Sequence, residues 1–317
     1  MKSSNIGGQA VMEGVMMKNG DNYAVAVRKT DGDIEIKTGE AHSVVKNKKL
    51  RSVPIIRGVV NFVDSLVLGM STLTYSASFF MEEEEEEKPG MLDKAADKVS
   101  KGKGESLLMG FTVAFSIIMA VALFMVLPYF LSQVFRRFTD SLTLLTLLEG
   151  AVRLTIFFAY IILISRMEDI QRVFMYHGAE HKCINCIEHG MELNVENVLK
   201  SSRLHKRCGT SFLFLVMIIS IVFFLFIRIQ SPVWRLVFRL LLVPVIAGVS
   251  YEFIRLAGRS ENKLVMLLSV PGMCLQKLTT REPDASMAEV AIASVEAVYD
   301  WKAYLKENFG KEFPDEE

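Results

Sequence analysis

The sequence has no excess of charge of either sign: 36 lysines and arginines stand against 36 aspartates and glutamates in 317 residues. A basic footprint of the kind nucleic acid demands is absent, and no nucleic-acid partner is expected. Cysteine is scarce. There are four, two of them in a C-x-x-C spacing beside histidines, which suits free thiols or metal ligands better than a disulfide framework. No apolar leader of signal-peptide length opens the chain at "MKSSNIGGQAVMEG", so the N-terminus is expected in the cytosol. What is plentiful is apolar side chain, 51% of residues, gathered into runs that exceed the roughly 18 to 20 residues needed to cross a bilayer. The expected fold class is mainly α: a polytopic membrane helix bundle with a small N-terminal β-rich unit and a C-terminal amphipathic helix, both cytosolic.

Residues 1–50 read as the β-rich unit. "YAVAVRKTDGDIEIKTG" alternates apolar and polar residues about an Asp-Gly pair, and residues 23–28 are expected to pair with 33–37. The preceding "NIGGQAVMEGVMMKNG" reads as a tight turn, its glycines offering backbone freedom. In 51–81, Arg57, Asn61 and Asp64 form a polar stripe on one helical face, so an amphipathic interfacial helix is expected rather than a span. The like-charge block in 82–106 reads as a solvated linker. Residues 107–165 form a first transmembrane hairpin (spans 107–131 and 142–165), and 211–257 a second (211–229 and 233–257). Between them, 166–210 carries Arg166, Arg172, Lys182, Lys200, Arg203, Lys206 and Arg207, whereas the 132–141 and 228–235 loops offer only Arg136 and Arg137, and Arg228 and Arg235. The positive-inside rule therefore places the middle loop in the cytosol. Within 258–317, "LVMLLSVPGMCL" is too short to cross and reads as interfacial or re-entrant, with Cys274 as inert packing. From Ser286 an amphipathic helix is expected, with Ser286 and Glu289 as its capping box.

The chemistry is concentrated in "MYHGAEHKCINCIEHG", residues 175–190, which holds three of the five histidines. His177 and His181 stand at i and i+4, so a helix presents both imidazoles to one metal ion. With Glu180 between them the order is His-x-x-Glu-His, the inverted zinc-protease helix, in which the glutamate acts as general base. Glu188, two turns beyond His181, and Glu252, from a span at similar depth, are candidate carboxylate ligands, and His205 and Cys208 in "HKRC" are further ones. The same segment also offers a closed structural zinc site from Cys183, Cys186, His205 and Cys208. Cys208 has a further reading as a nucleophile.

"IGGQAVMEGVMMK", "YHGAEHK", "SRLHKRCGTSF" and "VPGMCLQKLTTREPD", in this order along nearly the whole chain, resemble the landmarks of the YqhQ-like family, uncharacterised bacterial membrane proteins described as predicted metal-dependent enzymes. The resemblance implies a multi-pass protein of the bacterial cell membrane. Residue by residue, it carries over to His177, Glu180, His181, Glu188, His205, Arg207, Cys208 and Glu282. The family pattern has no cysteines at Cys183 and Cys186, which favours the histidine site over the Cys/His knot. It adds little about function, because the family's description rests on the same histidines.

Three functions stay open. The first is a metal-dependent hydrolase acting at the cytosolic membrane surface on a peptide or lipid-linked ester, with a divalent metal, zinc foremost, on His177, His181 and one of Glu188, Glu252, His205 or Cys208, and with Glu180 accepting a proton. The second is a non-catalytic scaffold or assembly factor with a structural metal. The third is a transporter using Glu149, Arg153 and Glu252, which with four spans would call for a homo-oligomer.

Overall fold

The computed structural model describes residues 2–47, 49–84, 104–227, 229, 231–257 and 262–313. The acidic-block linker lies, from residue 85 to 103, outside the described residues.

Four strands, β1 (Gly7–Val11), β2 (Gly14–Asn19), β3 (Asn22–Arg28) and β4 (Ile34–Glu40), form an antiparallel meander in chain order. The expected hairpin is present, with Val27 opposite Glu35 and Arg28 opposite Ile34, and Gly32 takes the positive φ its turn requires. The Gly- and Met-rich stretch is more than a turn. It forms the whole β1–β2 hairpin, with Val11 paired to Gly14 around Met12 and Glu13. Position 14 must be glycine, because a Cβ there would collide with the Ala26 carbonyl across the sheet. The turn is clamped from outside: Arg172 pairs with Glu13, and the Tyr176 hydroxyl donates to the same carboxylate at 3.2 Å.

The helices are α1 (Ile56–Glu84), α2 (Gly104–Val121) continued through a π-helical turn (Ala122–Val126) into α3 (Leu127–Ser132), α4 (Leu142–Ile164), α5 (Glu168–Glu188), α6 (Val195–Lys200), α7 (Gly209–Leu225), α8 (Pro232–Ala257), α9 (Lys263–Thr279), α10 (Ala285–Glu296) and α11 (Trp301–Phe309). Among the described residues four stretches are long and apolar enough to cross a membrane: Ile56–Phe80, Gly110–Arg137, Leu142–Ile164 and Val233–Ala257. Three of these overlap the expected spans. The expected span 211–229 holds the apolar α7, 17 residues long and ending at Leu225, and α1, expected to lie in the interface, is also long and apolar enough to cross. The polar stripe of α1 is engaged along its length: Arg57 pairs with Glu252, Asn61 donates to the Tyr251 hydroxyl, Asp64 accepts from the Val44 N–H, and the Ser76 hydroxyl accepts from the Met12 N–H.

The chain divides into two units. One comprises Met1–Phe79, Ile161–Ile219 and Val243–Glu317, the other Phe80–Tyr160 and Ser220–Leu242. In the first, one face of the sheet (Val15, Met17, Ala26) packs with Tyr176, Ala179, Cys183, Ile184 and Ile187 of α5 and with Met287, Val290, Ala291 and Val295 of α10. The C-terminal segment corrects the sequence reading in two ways. It is two helices, interrupted before Asp300, whose side chain caps α11 by accepting from the Ala303 N–H. The cap of α10 is Asp284, which occupies the N-cap position and accepts from the Met287 N–H at 2.9 Å. Ser286 lies inside the helix and donates to Asp284, and Glu289 pairs with Arg28, so the expected capping box does not form.

Candidate metal centre

The 21-residue α5 is polar by average composition yet buried from Gly178 to Glu188, and its helical phase sorts the chemistry. Cys183 and Cys186 face the apolar core shared with the sheet and α10. His177 and His181 share another face, toward residues 201–210 and the end of α9. Glycine at 178 permits this approach. A Cβ there would strike the backbone carbonyl of Arg281, and the same contact lets the Arg281 N–H donate to the Phe174 carbonyl at 2.8 Å.

The two imidazoles are oriented from behind. His177 Nδ1 lies 2.8 Å from the Thr279 carbonyl and His181 Nδ1 2.6 Å from the Arg203 carbonyl. A carbonyl only accepts, so each Nδ1 carries the proton and each Nε2 presents its lone pair, the arrangement seen behind metal-bound histidines. The third donor is Cys208. Its sulfur lies 3.2 Å from His177 Nε2 and 2.9 Å from the Thr210 hydroxyl, and it accepts from the Thr210 N–H at the start of α7. The ligand atoms of His177, His181 and Cys208 all lie within 4.8 Å of one another. A tetrahedral zinc site with Zn–N and Zn–S distances near 2.1 and 2.3 Å has donor separations of about 3.4 to 3.6 Å. Small side-chain rotations close that gap, so two imidazoles and a thiol fit a divalent ion.

The loop carrying Cys208 is fastened to α5. Lys182 donates to the Leu199 and Ser201 carbonyls, and Asn185 to those of Ser202 and Leu204. Gln276 of α9 completes the frame, accepting from the His205 N–H and donating to the His205 carbonyl and the Ser211 hydroxyl. Glu282, exposed, pairs with Lys182 and Arg203.

The other expected ligands are placed differently. Glu188 is fully buried and accepts from the Ser4 N–H and hydroxyl, both at 2.8 Å, and from Arg207, with His205 Nε2 at 3.4 Å. Burial opposes its ionisation, but the His205 contact and the Arg207 charge outweigh that and hold its carboxyl below the usual range. His205, 5.8 Å from His181 between ring centroids, has its basicity lowered by burial against the pull of Glu188. Both thus stand behind the ligand group rather than in it. Glu252 is taken by Arg57. The four-ligand knot does not assemble, since Cys183 and Cys186 lie on the far face of α5. Burial pushes the Cys183 thiol well above its ordinary value and the Cys186 thiol up to about 11, so both remain thiols.

Glu180 is buried, 5% exposed, and turned toward β1, where a Cβ on Gly8 would meet its Cγ at 2.9 Å. Burial raises its carboxyl to about 7, against the opposing influence of His177 and of a hydrogen bond from the Gly8 N–H. Sequence reasoning missed several of these supports: Ser4, Thr279 and the Arg203 carbonyl. Gly8 stood among the glycines that offer backbone freedom or close approach, and Gly178, a glycine inside a helical pattern, also carried a local signal.

A protein family of unknown function, DUF1385, matches residues 53–301. The chain is also 33% identical over 307 residues to the uncharacterized protein YqhQ of Bacillus subtilis (strain 168), covering 95% of this chain and 94% of that protein. No solved structure matches it. With a family model spanning most of its length and a relative similar almost end to end, the chain belongs to DUF1385, a family of unknown function, and is a relative of YqhQ.

Proposed function

We propose that this protein is a membrane-embedded metal-dependent hydrolase, with its site at the cytosolic membrane surface and a peptide or lipid-linked ester as substrate. The observation that carries the reading is the ligand count. His177, His181 and Cys208 are three protein donors, and three donors leave a coordination position open for chemistry, whereas structural zinc sites close at four. Two imidazoles with a thiolate suit zinc better than the harder divalent ions. A bound ion would supply Lewis acidity. Glu180, with a carboxyl that exchanges its proton near neutral pH, takes up the proton released during hydrolysis. The site's place along the chain supports a bilayer-presented substrate, because α5 directly follows α4 and Cys208 directly precedes the apolar α7. The positive loop residues support the cytosolic side.

The test is elemental analysis of detergent-purified protein. Wild type and the Cys183→Ser/Cys186→Ser double variant should hold about one ion per chain, and His181→Ala and Cys208→Ser should lose it. Metal retained in His181→Ala, lost in the double cysteine variant, or absent throughout overturns the centre. A second reading has one specific support: the ligands come from α5 and from the residue before α7, so an ion would staple the two. If Glu180→Gln keeps both metal and turnover of a fluorogenic acyl ester in liposomes, the hydrolytic role of Glu180 is wrong. If no variant and no substrate shows turnover while chelation lowers Tm, the staple is the better account.

A further inference from the structure

The unit formed by Phe80–Tyr160 and Ser220–Leu242 holds a second constellation, independent of the metal centre. Glu149 of α4 pairs with Arg153 one turn on at 3.1 Å, and both arms of Arg239 on α8 donate to the same carboxylate. The other arm of Arg153 donates to the Ser220 hydroxyl at 3.0 Å. The two guanidiniums lie 4.9 and 4.7 Å from the centre of the Phe224 ring. All three charged side chains are at most 5% exposed. One carboxylate therefore meets two cations, and the Nε–H of each arginine is buried without an acceptor among the described residues. A surplus positive charge in apolar surroundings is costly unless something negative joins it.

Two cavities adjoin this cluster. One, of about 130 Å³, is a groove between α3 and α8, walled by Met125, Val126, Phe130 and Leu236, with Arg239 at its side. The other is a small polar recess of about 10 Å³, lined by Ser132, Gln133, Arg136, Thr146 and Glu149 with Leu142 and Leu145 beside them. Arg235 borders both. Among the described residues its guanidinium donates to the Ile229 carbonyl, at 2.9 and 2.7 Å, lies over the Tyr129 ring and pairs with no carboxylate. The linings of the two cavities hold Arg136, Arg235 and Arg239 beside one carboxylate, Glu149. The π-helical turn Ala122–Val126 contributes Met125 and Val126 to the groove wall, and such turns recur at functional sites.

We propose that this unit binds an anionic phospholipid. An acyl chain lies in the groove between α3 and α8, and the phosphodiester meets Arg235 where the apolar and polar cavities adjoin, offsetting the surplus charge of the Glu149–Arg153–Arg239 cluster. A zwitterionic lipid would fill the groove and bring a phosphate, but its own ammonium cancels the charge that phosphate supplies. A free phosphate would answer the charge and leave the groove empty. Only an anionic amphiphile uses both features.

Trp234, 60% exposed and next to Arg235 in sequence, is the reporter, and Trp301, the other tryptophan, is buried in the C-terminal core. Full-length protein in neutral mixed micelles is titrated with brominated-acyl phosphatidylglycerol or brominated-acyl phosphatidylcholine, and quenching of tryptophan fluorescence is read. Half-maximal quenching is expected at about tenfold lower mole fraction for the anionic lipid, with the preference lost in Arg235→Gln, which removes one charge-assisted contact. Trp234→Phe should remove the quenchable fraction, and millimolar inorganic phosphate should not reverse the quenching. Equal quenching by both lipids, an unchanged preference in Arg235→Gln, or reversal by inorganic phosphate would each overturn the proposal. The first two would mean an ordinary lipid-facing surface, the last a free-anion site. Arg235 lies at the edge of the cluster, so its variant leaves the buried Glu149 pairs in place. Should Arg235→Gln nevertheless misfold, the polar-side variant Arg136→Gln carries the same expectation.

Discussion

Glu180→Gln in the metal-free protein tests the reasoning about the centre most directly. In wild type, burial raises the Glu180 carboxyl to about 7, whereas an unfolded glutamate titrates near 4.5. The folded state thus holds the proton more tightly. Its contribution is intact below the unfolded pKa and is lost as pH rises through the folded one. At 1.36 kcal/mol per unit, ionising this carboxyl in place costs the folded state about 1 kcal/mol at pH 5.5 and about 3 kcal/mol at pH 8. Glutamine has the shape of the protonated acid, keeps an oxygen for the Gly8 N–H, and bears none of this cost. Its advantage over wild type should therefore grow by about 2 kcal/mol between the two pH values, or about 4 to 8 °C in Tm for a unit of this size. The assay is thermal unfolding in detergent at pH 5.5 and pH 8 after exhaustive chelation. Chelation is required because a cation beside His177 would stabilise the ionised carboxylate and erase the difference. An unchanged Tm gap between wild type and variant at the two pH values would refute the placement of Glu180 in a dry pocket and remove its assignment as proton acceptor.

Gly178→Ala should cost about 1 to 3 kcal/mol, because the new methyl meets the Arg281 backbone carbonyl, which cannot rotate away. It should also lower metal content by displacing the Thr279 carbonyl from His177, and metal analysis beside a melting curve reads both effects. Glu188→Gln leaves Arg207 without its carboxylate partner in a buried network and should cost about 3 to 5 kcal/mol at pH 7. Because the Glu188 carboxyl is held below its ordinary value, wild type loses that stabilisation as pH falls below about 4.5 and the variant does not. Parallel Tm curves for the two proteins from pH 7 to pH 4 would show that the carboxylate is not engaged.

The ligand group was legible because two of its members are a helical pair. The i, i+4 spacing of His177 and His181 fixes a shared face whatever surrounds α5, and "HKRC" offered Cys208 as one of few remaining donors. Helical phase also decides against the C-x-x-C knot. Cys183 is two residues from His181 and Cys186 five, so both project away from the histidine face, and Ile184 and Ile187 beside them show which way that face packs. Phase could not decide about Glu188, which lies on a suitable face but is saturated by Ser4 and Arg207, partners 184 and 19 residues away. Nor could it show that Arg57 would take Glu252, or that Arg239 would join Glu149 and Arg153 from 90 residues further on. The distinction is physical. Periodicity reports the direction of a side chain from its own helix axis, and that suffices when both ligands share the axis. Whether a carboxylate is available to an ion depends on which cation reaches it first, and that is settled between segments far apart in the chain. The same rule explains Glu180. Its position between the histidines made it a candidate base, but its raised pKa comes from β1 packing over it through Gly8, a contact that local spacing does not encode.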